Sequence, residues 1–282
     1  MKTIAITSGK GGVGKTSITA NLAIALAQRS ENVVVFDADF GLANLDIMFG
    51  VKAPRTLLDV LTEEANIMDI LCKGPSNLRF VAGGSGVKEL LNLSNEQLDR
   101  FFSEFAKLEG TTDYLLIDTA AGLSESVVRI VESADEVLLI CTPDPTSIMD
   151  TYATIKTVLN RNGDAVISLL VNQVSGNTEA REIHEKLNKI VHQFLTKSIG
   201  YAGYIRTDQQ VIESVRKREP FMLASDVSSA VHDIDRLASW ITDTPIRFQE
   251  AEKKPEEKMG FFQKLKSKFS REKEDQNARR AA

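Results

Sequence analysis

The sequence predicts an α/β protein built on a mostly parallel central sheet with helices on both faces. Three observations carry that expectation. Apolar runs of strand length at 33–37, 78–82, 114–118, 136–141, 166–172 and 198–205 alternate with helical patterns at 94–108, 124–133, 147–161, 178–195 and 208–217. The strand runs are apolar on both faces, as in a sheet covered on each side. A glycine-rich stretch, Ser8 to Thr16, fits G-x-x-x-x-G-K-[ST] between a β-type run and a helical run, which is the context a phosphate-binding loop requires.

Along the chain, Thr3 to Thr7 reads as the first strand, and Ile18, Leu22 and Leu26 recur at helical spacing after the loop. Such a turn aims several backbone N–H groups and the positive end of a helix at one anion. Gly11, Gly12 and Gly14 permit close approach of phosphate oxygens, Lys15 reaches the β- and γ-phosphates, and Thr16 offers its hydroxyl to Mg²⁺. The second strand, Val33 to Phe36, ends in Asp37-Ala38-Asp39, and the strand Tyr114 to Ile117 runs into Asp118-Thr119-Ala120-Ala121-Gly122. Carboxylates at such strand ends hold Mg²⁺ through water or orient an attacking water. Gly122 permits a loop that moves with the γ-phosphate. A last helix over about 226–242, carrying Val231, Ile234, Leu237 and Trp240, closes the core.

At 282 residues, with 43% hydrophobic and 26% charged residues, the chain has the composition of an ordinary globular protein. It contains no 18-residue apolar run and no leader-like N-terminus, so a cytoplasmic location is expected. Cys72 and Cys141 lack metal-ligand spacing and read as core thiols. Charge is uneven: residues 251–282 carry 10 Lys/Arg against 6 Asp/Glu, leaving 24 against 33 in residues 1–250. An acidic body disfavours non-specific DNA binding.

After Thr244-Pro245 the composition turns polar, dividing the chain into a nucleotide domain (1–245), a linker (246–257), an amphipathic helix (258–271) and a disordered tail (272–282). On a helix, Phe262, Leu265 and Phe269 share one face with Phe261 beside them, while Lys264, Lys266, Lys268 and Arg271 occupy the rest. Aromatics opposite lysines describe a helix lying in the plane of an anionic membrane surface. The same pattern also fits a helix docked on this protein's own body or on a partner.

The loop carries a second lysine, Lys10, giving K-G-G-V-G-K-T, which resembles the deviant Walker A box of the MinD/ParA ATPases. The stretches DADFGLANLDIMFG from Asp37, GGSGVKELLNLS from Gly83, DTAAGLSESV from Asp118 and TPDPTSIMDTYATIK from Thr142 resemble the FlhG/FleN (YlxH) branch, which regulates flagellar number and placement. The tail is similar to the membrane-targeting sequence of MinD. The resemblance implies a P-loop NTPase fold with ATP and Mg²⁺ as cofactors. It implies phosphate contacts from Gly11, Gly12, Val13, Gly14, Lys15, Thr16 and Ser17, with Lys10 crossing a two-fold interface to the partner's nucleotide in an ATP-sandwiched homodimer. Asp39 would position the hydrolytic water and approach the metal, Asp118 would hold Mg²⁺ through water beside Thr16, and Asp37 and Gly122 would support the switches. Asn172 would read the adenine edge. Asn172-Gln173-Val174-Ser175 lacks the guanine-reading N-K-x-D pattern, so ATP is expected over GTP. Where the family usually has proline beside the base, this chain has Arg206.

Membrane contacts are expected from Phe261, Phe262, Leu265, Phe269, Lys264 and Lys268. Partners implied are a second copy, an anionic membrane at the inner face of the cell, the FlhF GTPase and flagellar switch (C-ring) proteins, with DNA disfavoured. The branch commonly carries an N-terminal D-Q-A-type extension that engages FlhF; here Met1 leads straight into the first strand. With one catalytic carboxylate and no evident arginine finger, turnover is expected to be slow and partner-stimulated. Two other readings share these residues: a MinD-type regulator of septum position, and an ATP-binding scaffold without significant hydrolysis.

Overall fold

The computed structural model describes residues 1–39, 45–62, 64–82, 94–223, 228–243 and 260–269. The expected linker and final tail, and most of the segment that begins at Gly83, lie outside the described residues.

Eight strands form one sheet: β1 (Lys2–Thr7), β2 (Val33–Ala38), β3 (Cys72–Lys73), β4 (Arg79–Val81), β5 (Tyr114–Thr119), β6 (Glu136–Cys141), β7 (Ile167–Val174) and β8 (Gly200–Arg206). Their spatial order is β3-β4-β2-β5-β1-β6-β7-β8, parallel throughout except for β3. β1, the strand that feeds the phosphate loop, is flanked by β5 and β6. β5 also pairs with β2, with Asp37 in register with Asp118, so the two acidic strand ends stand side by side next to the loop.

The helices are α1 (Lys15–Gln28), α2 (Leu45–Phe49), α3 (Leu57–Leu61), α4 (Ile67–Ile70), α5 (Asn95–Ala106), α6 (Glu125–Ser133), α7 (Pro145–Arg161), α8 (Asn177–Leu195), α9 (Gln209–Lys217), α10 (Ser229–Asp243) and α11 over 261–269. Two apolar cores fill the faces of the sheet. On one, Leu22 and Leu26 of α1 meet Ile234 and Leu237 of α10 over Ile4, Ile6 and Val35. On the other, residues from α3 to α8 and α11 pack over Ala5, Val34 and Leu115. The strands are buried on both sides, as their continuous apolar runs require.

The amphipathic tail forms α11, and its apolar side faces inward. Phe261, Phe262, Leu265 and Phe269 are all buried. Phe262 lies 5.2 Å, ring to ring, from Phe105, Phe269 lies 6.3 Å from Phe102, and the Arg129 guanidinium sits 4.6 Å above the Phe269 ring. Its lysines meet carboxylates of the acidic body: Lys268 with Glu132 at 2.8 Å, Lys266 with Asp99 at 2.7 Å and Lys264 with Asp135 at 3.5 Å. Of the two uses that the pattern allowed, this structure displays docking on the chain's own surface. Cys72 and Cys141 are free and buried, as a core role requires.

Candidate nucleotide-binding site

At the carboxyl ends of β1, β2 and β5 the chain encloses a cavity of about 1070 Å³. Its lining includes Gly11, Gly12, Gly14, Lys15, Thr16 and Ser17 from the loop, Asp39 after β2, Ala120 and Ala121 after β5, and Asn172 from β7. Beyond these it is walled by Ile205, Val211, Ile212, Val215 and Phe221, an apolar end that suits a base.

The loop's curvature depends on glycine at two points. Gly12 has φ of 77° and Gly14 has φ of 96°, in the left-handed region that residues with a Cβ rarely adopt. A Cβ at Gly14 would also stand 2.7 Å from the Asn172 amide nitrogen. Gly9, which sequence reasoning passed over, permits a close approach: a Cβ there would lie 2.4 Å from the carbonyl oxygen of Asp150, so the loop rests directly on α7. Gly122, with φ of 89°, donates its N–H to the Ser8 carbonyl at 3.0 Å and ties the loop after β5 to the start of the phosphate loop.

Electrostatically, the centre is a buried lysine facing carboxylates. Burial lowers the pKa of Lys15, and Asp118 and Asp39 oppose that shift. The Asp118 carboxyl is pushed up to about 6 by burial, against hydrogen bonds from Thr16 and Thr19 and the charge of Lys15. The Thr19 hydroxyl stands 3.2 Å from Asp118 Oδ1 and 2.9 Å from the Lys15 carbonyl, a brace that sequence reasoning missed because a threonine inside a helical run carries no signal of its own. Asp37 holds both flanks of the segment that follows β2, accepting from Asp39 N–H at 3.1 Å and from Leu45 N–H at 3.3 Å. The buried Ser17 hydroxyl has no partner within the described chain, which leaves one more donor for an anion on α1.

These groups fit a magnesium nucleotide: a cationic amine, helix N–H groups, a threonine hydroxyl and one buried carboxylate make a partial shell that phosphate oxygens and water complete. A Mg²⁺ held by these groups would supply charge neutralisation to a bound nucleotide. Among the described residues no group of three His, Cys, Asp or Glu could hold a metal ion by itself.

Three residues expected at the site have more specific neighbours than the sequence foretold. Asn172 donates its amide to the Val13 carbonyl at 2.8 Å and accepts from the Gln173 N–H at 2.9 Å, so it braces the phosphate loop as well as lining the cavity. Arg206 gives Asp233 both its backbone N–H, at 2.9 Å, and its Nε, at 2.8 Å, and adds an Nη2 bond to the Ser229 carbonyl at 3.1 Å. The first of these bonds is one that a proline could not make. Lys10 does not line the cavity. Its Nζ lies 2.6 Å from Thr146 Oγ1 and 3.3 Å from Asp144 Oδ2, at the start of α7.

Residues 4–221 match the CobQ/CobB/MinD/ParA nucleotide binding domain. The chain belongs to this family. It is 37% identical over 246 residues to the antiactivator FleN of Pseudomonas aeruginosa, covering 87% of this chain and 88% of that protein. It is 38% identical over 239 residues to the flagellum site-determining protein YlxH of Helicobacter pylori, covering 84% of this chain and 80% of that one. Among solved structures it resembles the septum site-determining protein MinD of Pyrococcus horikoshii complexed with Mg-ADP, with a TM-score of 0.69, 26% identity, and 85% and 95% of the two chains covered. The matched family is a nucleotide-binding one, with ATPase activity as its general chemistry.

Proposed function

We propose that this protein is an ATP-switched, dimerising ATPase that sets the number or placement of flagella at the membrane. The observation that carries the switch is the separation of the two loop lysines. Lys15 lines the chain's own cavity, while Lys10 lies outside it against Asp144 and Thr146, available to a second copy. In this reading ATP is sandwiched between two copies, each Lys10 leaves α7 for the partner's phosphates, and the pair holds until hydrolysis.

In the monomer's cavity, Lys15 and the α1 N–H groups bind the phosphates, with Thr16 and Asp118 toward Mg²⁺. Asp39 orients water for attack on the γ-phosphoryl, and Asn172 meets the base after giving up, or sharing, its bond to Val13. The arginines that line the cavity, Arg206 and Arg216, belong to β8 and α9 on the side walled by Ile212 and Val215. Turnover is therefore slow until a partner supplies the missing stabilisation.

The second moving part is α11. Its docked aromatics and paired lysines are the groups that a membrane would receive, so membrane loading requires the helix to leave α5 and α6. Two copies joined by ATP would bring two such helices together and bind by avidity where one binds marginally. The protein then shuttles between the cytoplasm and the inner face of the cell membrane, and FlhF and C-ring proteins are its natural partners.

The flagellar assignment draws on the similarity to FleN and YlxH. A septum-positioning role is the rival, since the chain is also 33% identical over 231 residues to MinD of Synechocystis. Deleting the gene and complementing with wild type or Lys15→Ala separates them. Altered flagellar number or placement at normal cell length supports the flagellar reading, and minicells or filaments with normal flagella overturn it. Phosphate release abolished by Asp39→Ala separates an ATPase from an ATP-binding scaffold.

A further inference from the structure

We propose that the C-terminal end of α8 is a second membrane-contact surface, built into the body and exposed while α11 is still docked. The proposal rests on the membrane reading of α11 and adds to it a site that does not move.

From Lys186 to Lys197 the chain carries three lysines and no carboxylate, within a body whose first 250 residues are acidic. Here α8 departs from the pattern of a helix that covers a sheet. Ala180, Ile183, Leu187 and Val191 bury its inner stripe, but Ile190 and Phe194 are 38% and 66% exposed. An aromatic ring two-thirds in water is costly unless something apolar receives it. Lys186 is exposed at the middle of the helix and Lys189 in its C-terminal half, and Lys197 follows two residues after its end. The carboxylates of α8 closest in sequence to Ile190, Glu182 and Glu185, stand more than a turn back along the helix. A phenylalanine and an isoleucine framed by lysines are complementary to a layer that is apolar inside and anionic outside.

Position supports the same occupant. α8 descends from the carboxyl end of β7 to the amino end of β8, so its last turn lies at the opposite end of the sheet from the phosphate loop. That is the end where α11 is anchored. Lys197 reaches Asp164 at 3.9 Å, and Asp164 lines a cavity of about 450 Å³ together with Asp135, Lys264 and Lys268. Through the Lys197–Asp164 pair, the end of α8 therefore adjoins a cavity that the docked helix lines. A body resting on the membrane through Phe194 and Ile190 would hold α11 beside the surface it is to enter, and would let a tail-docked monomer meet that surface weakly.

The test is co-sedimentation of the full chain, with ATP, on phosphatidylglycerol-containing vesicles and on phosphatidylcholine vesicles. The double variant Ile190→Ser/Phe194→Ser should lower binding to the anionic vesicles about tenfold. Lys186→Glu/Lys189→Glu should do at least as much and weaken the salt dependence. Phosphate release and thermal midpoint should stay at wild-type values, since all four side chains are exposed and remote from the nucleotide. Wild-type binding retained by both variants overturns this proposal and leaves the membrane reading of α11 standing. No binding by wild type to either vesicle overturns both. Loss of binding to a protein partner, with vesicle binding unchanged, assigns the patch to that partner and contradicts the proposal.

Discussion

Lys10 and Asp144, 134 positions apart in the chain, form an ion pair of 3.3 Å that fastens the phosphate loop to the first turn of α7. Asp144 is also the N-cap of α7, and the Thr146 hydroxyl, with the Ser147 and Thr146 N–H groups, lowers its carboxyl to about 2. The same carboxylate therefore caps a helix and holds the lysine proposed to act on a second copy.

If Lys10 must leave this pair to reach a partner's nucleotide, weakening the pair favours dimerisation. Asp144→Asn keeps an oxygen for the helix cap and removes the charge. An exposed ion pair screened by water contributes little, so the ATP-dependent dimer should tighten only about two- to fivefold by sedimentation velocity. Lys10→Ala should abolish the dimer and leave the monomer's melting temperature almost unchanged.

The Asp118 carboxyl has a definite sign in stability. Its pKa in the folded protein, about 6, stands above the ordinary carboxylate value of 3.8, so the folded state binds more protons between those pH values. Its ionisation therefore costs the nucleotide-free fold stability as pH rises toward and past 6. Asp118→Asn should stabilise the nucleotide-free protein by about 1–2 kcal/mol at pH 8 and by almost nothing below pH 4, measured by urea unfolding. The same variant should lose the Mg²⁺ dependence of nucleotide binding.

Gly14→Ala places a Cβ where φ is 96° and where the Asn172 amide already stands. The backbone strain is about 1–2 kcal/mol. Displacing Asn172 also frees the loop carbonyl that it braces. Nucleotide affinity, read by fluorescence titration of a labelled ATP analogue, should fall by more than tenfold, with the fold retained by circular dichroism.

Arg206→Pro would restore the residue that the family usually has beside the base. It would also remove the N–H and guanidinium bonds to the fully buried Asp233 and leave it the ion pair with Arg236. A buried carboxylate stripped of one partner is destabilised, so a loss of about 2–3 kcal/mol is expected in urea unfolding. Pairing the change with Asp233→Ala should recover most of that loss.

Long elements were legible because periodicity needs length to register. The strand runs at 33–37, 114–118 and 136–141 appear almost where the pattern puts them, as do the helices after the last two. The helices α2, α3 and α4 and the two-residue antiparallel β3 were not read, being too short for a period and held by distant groups. Arg100 caps the Val60 carbonyl at 2.6 Å, and Glu104 receives the Ile67 N–H at 3.0 Å. At the site, the loop residues that line the cavity were legible, because they lie together in one short motif. The contacts of Lys10 with Asp144 and of Arg206 with Asp233 were not, since each joins separate elements. The pattern of α11 is equally suited to a groove or a membrane, and what selects the groove here is scattered over Asp99, Phe102, Phe105, Arg129, Glu132 and Asp135 of the body.

The most direct measurement is vesicle co-sedimentation of Asp39→Ala, which should hold ATP unhydrolysed, compared in ATP and in ADP. A switch that frees α11 through dimerisation predicts strong binding in ATP, at least tenfold weaker binding in ADP, and loss of the difference on adding Lys10→Ala. Equal binding in both nucleotides would contradict it.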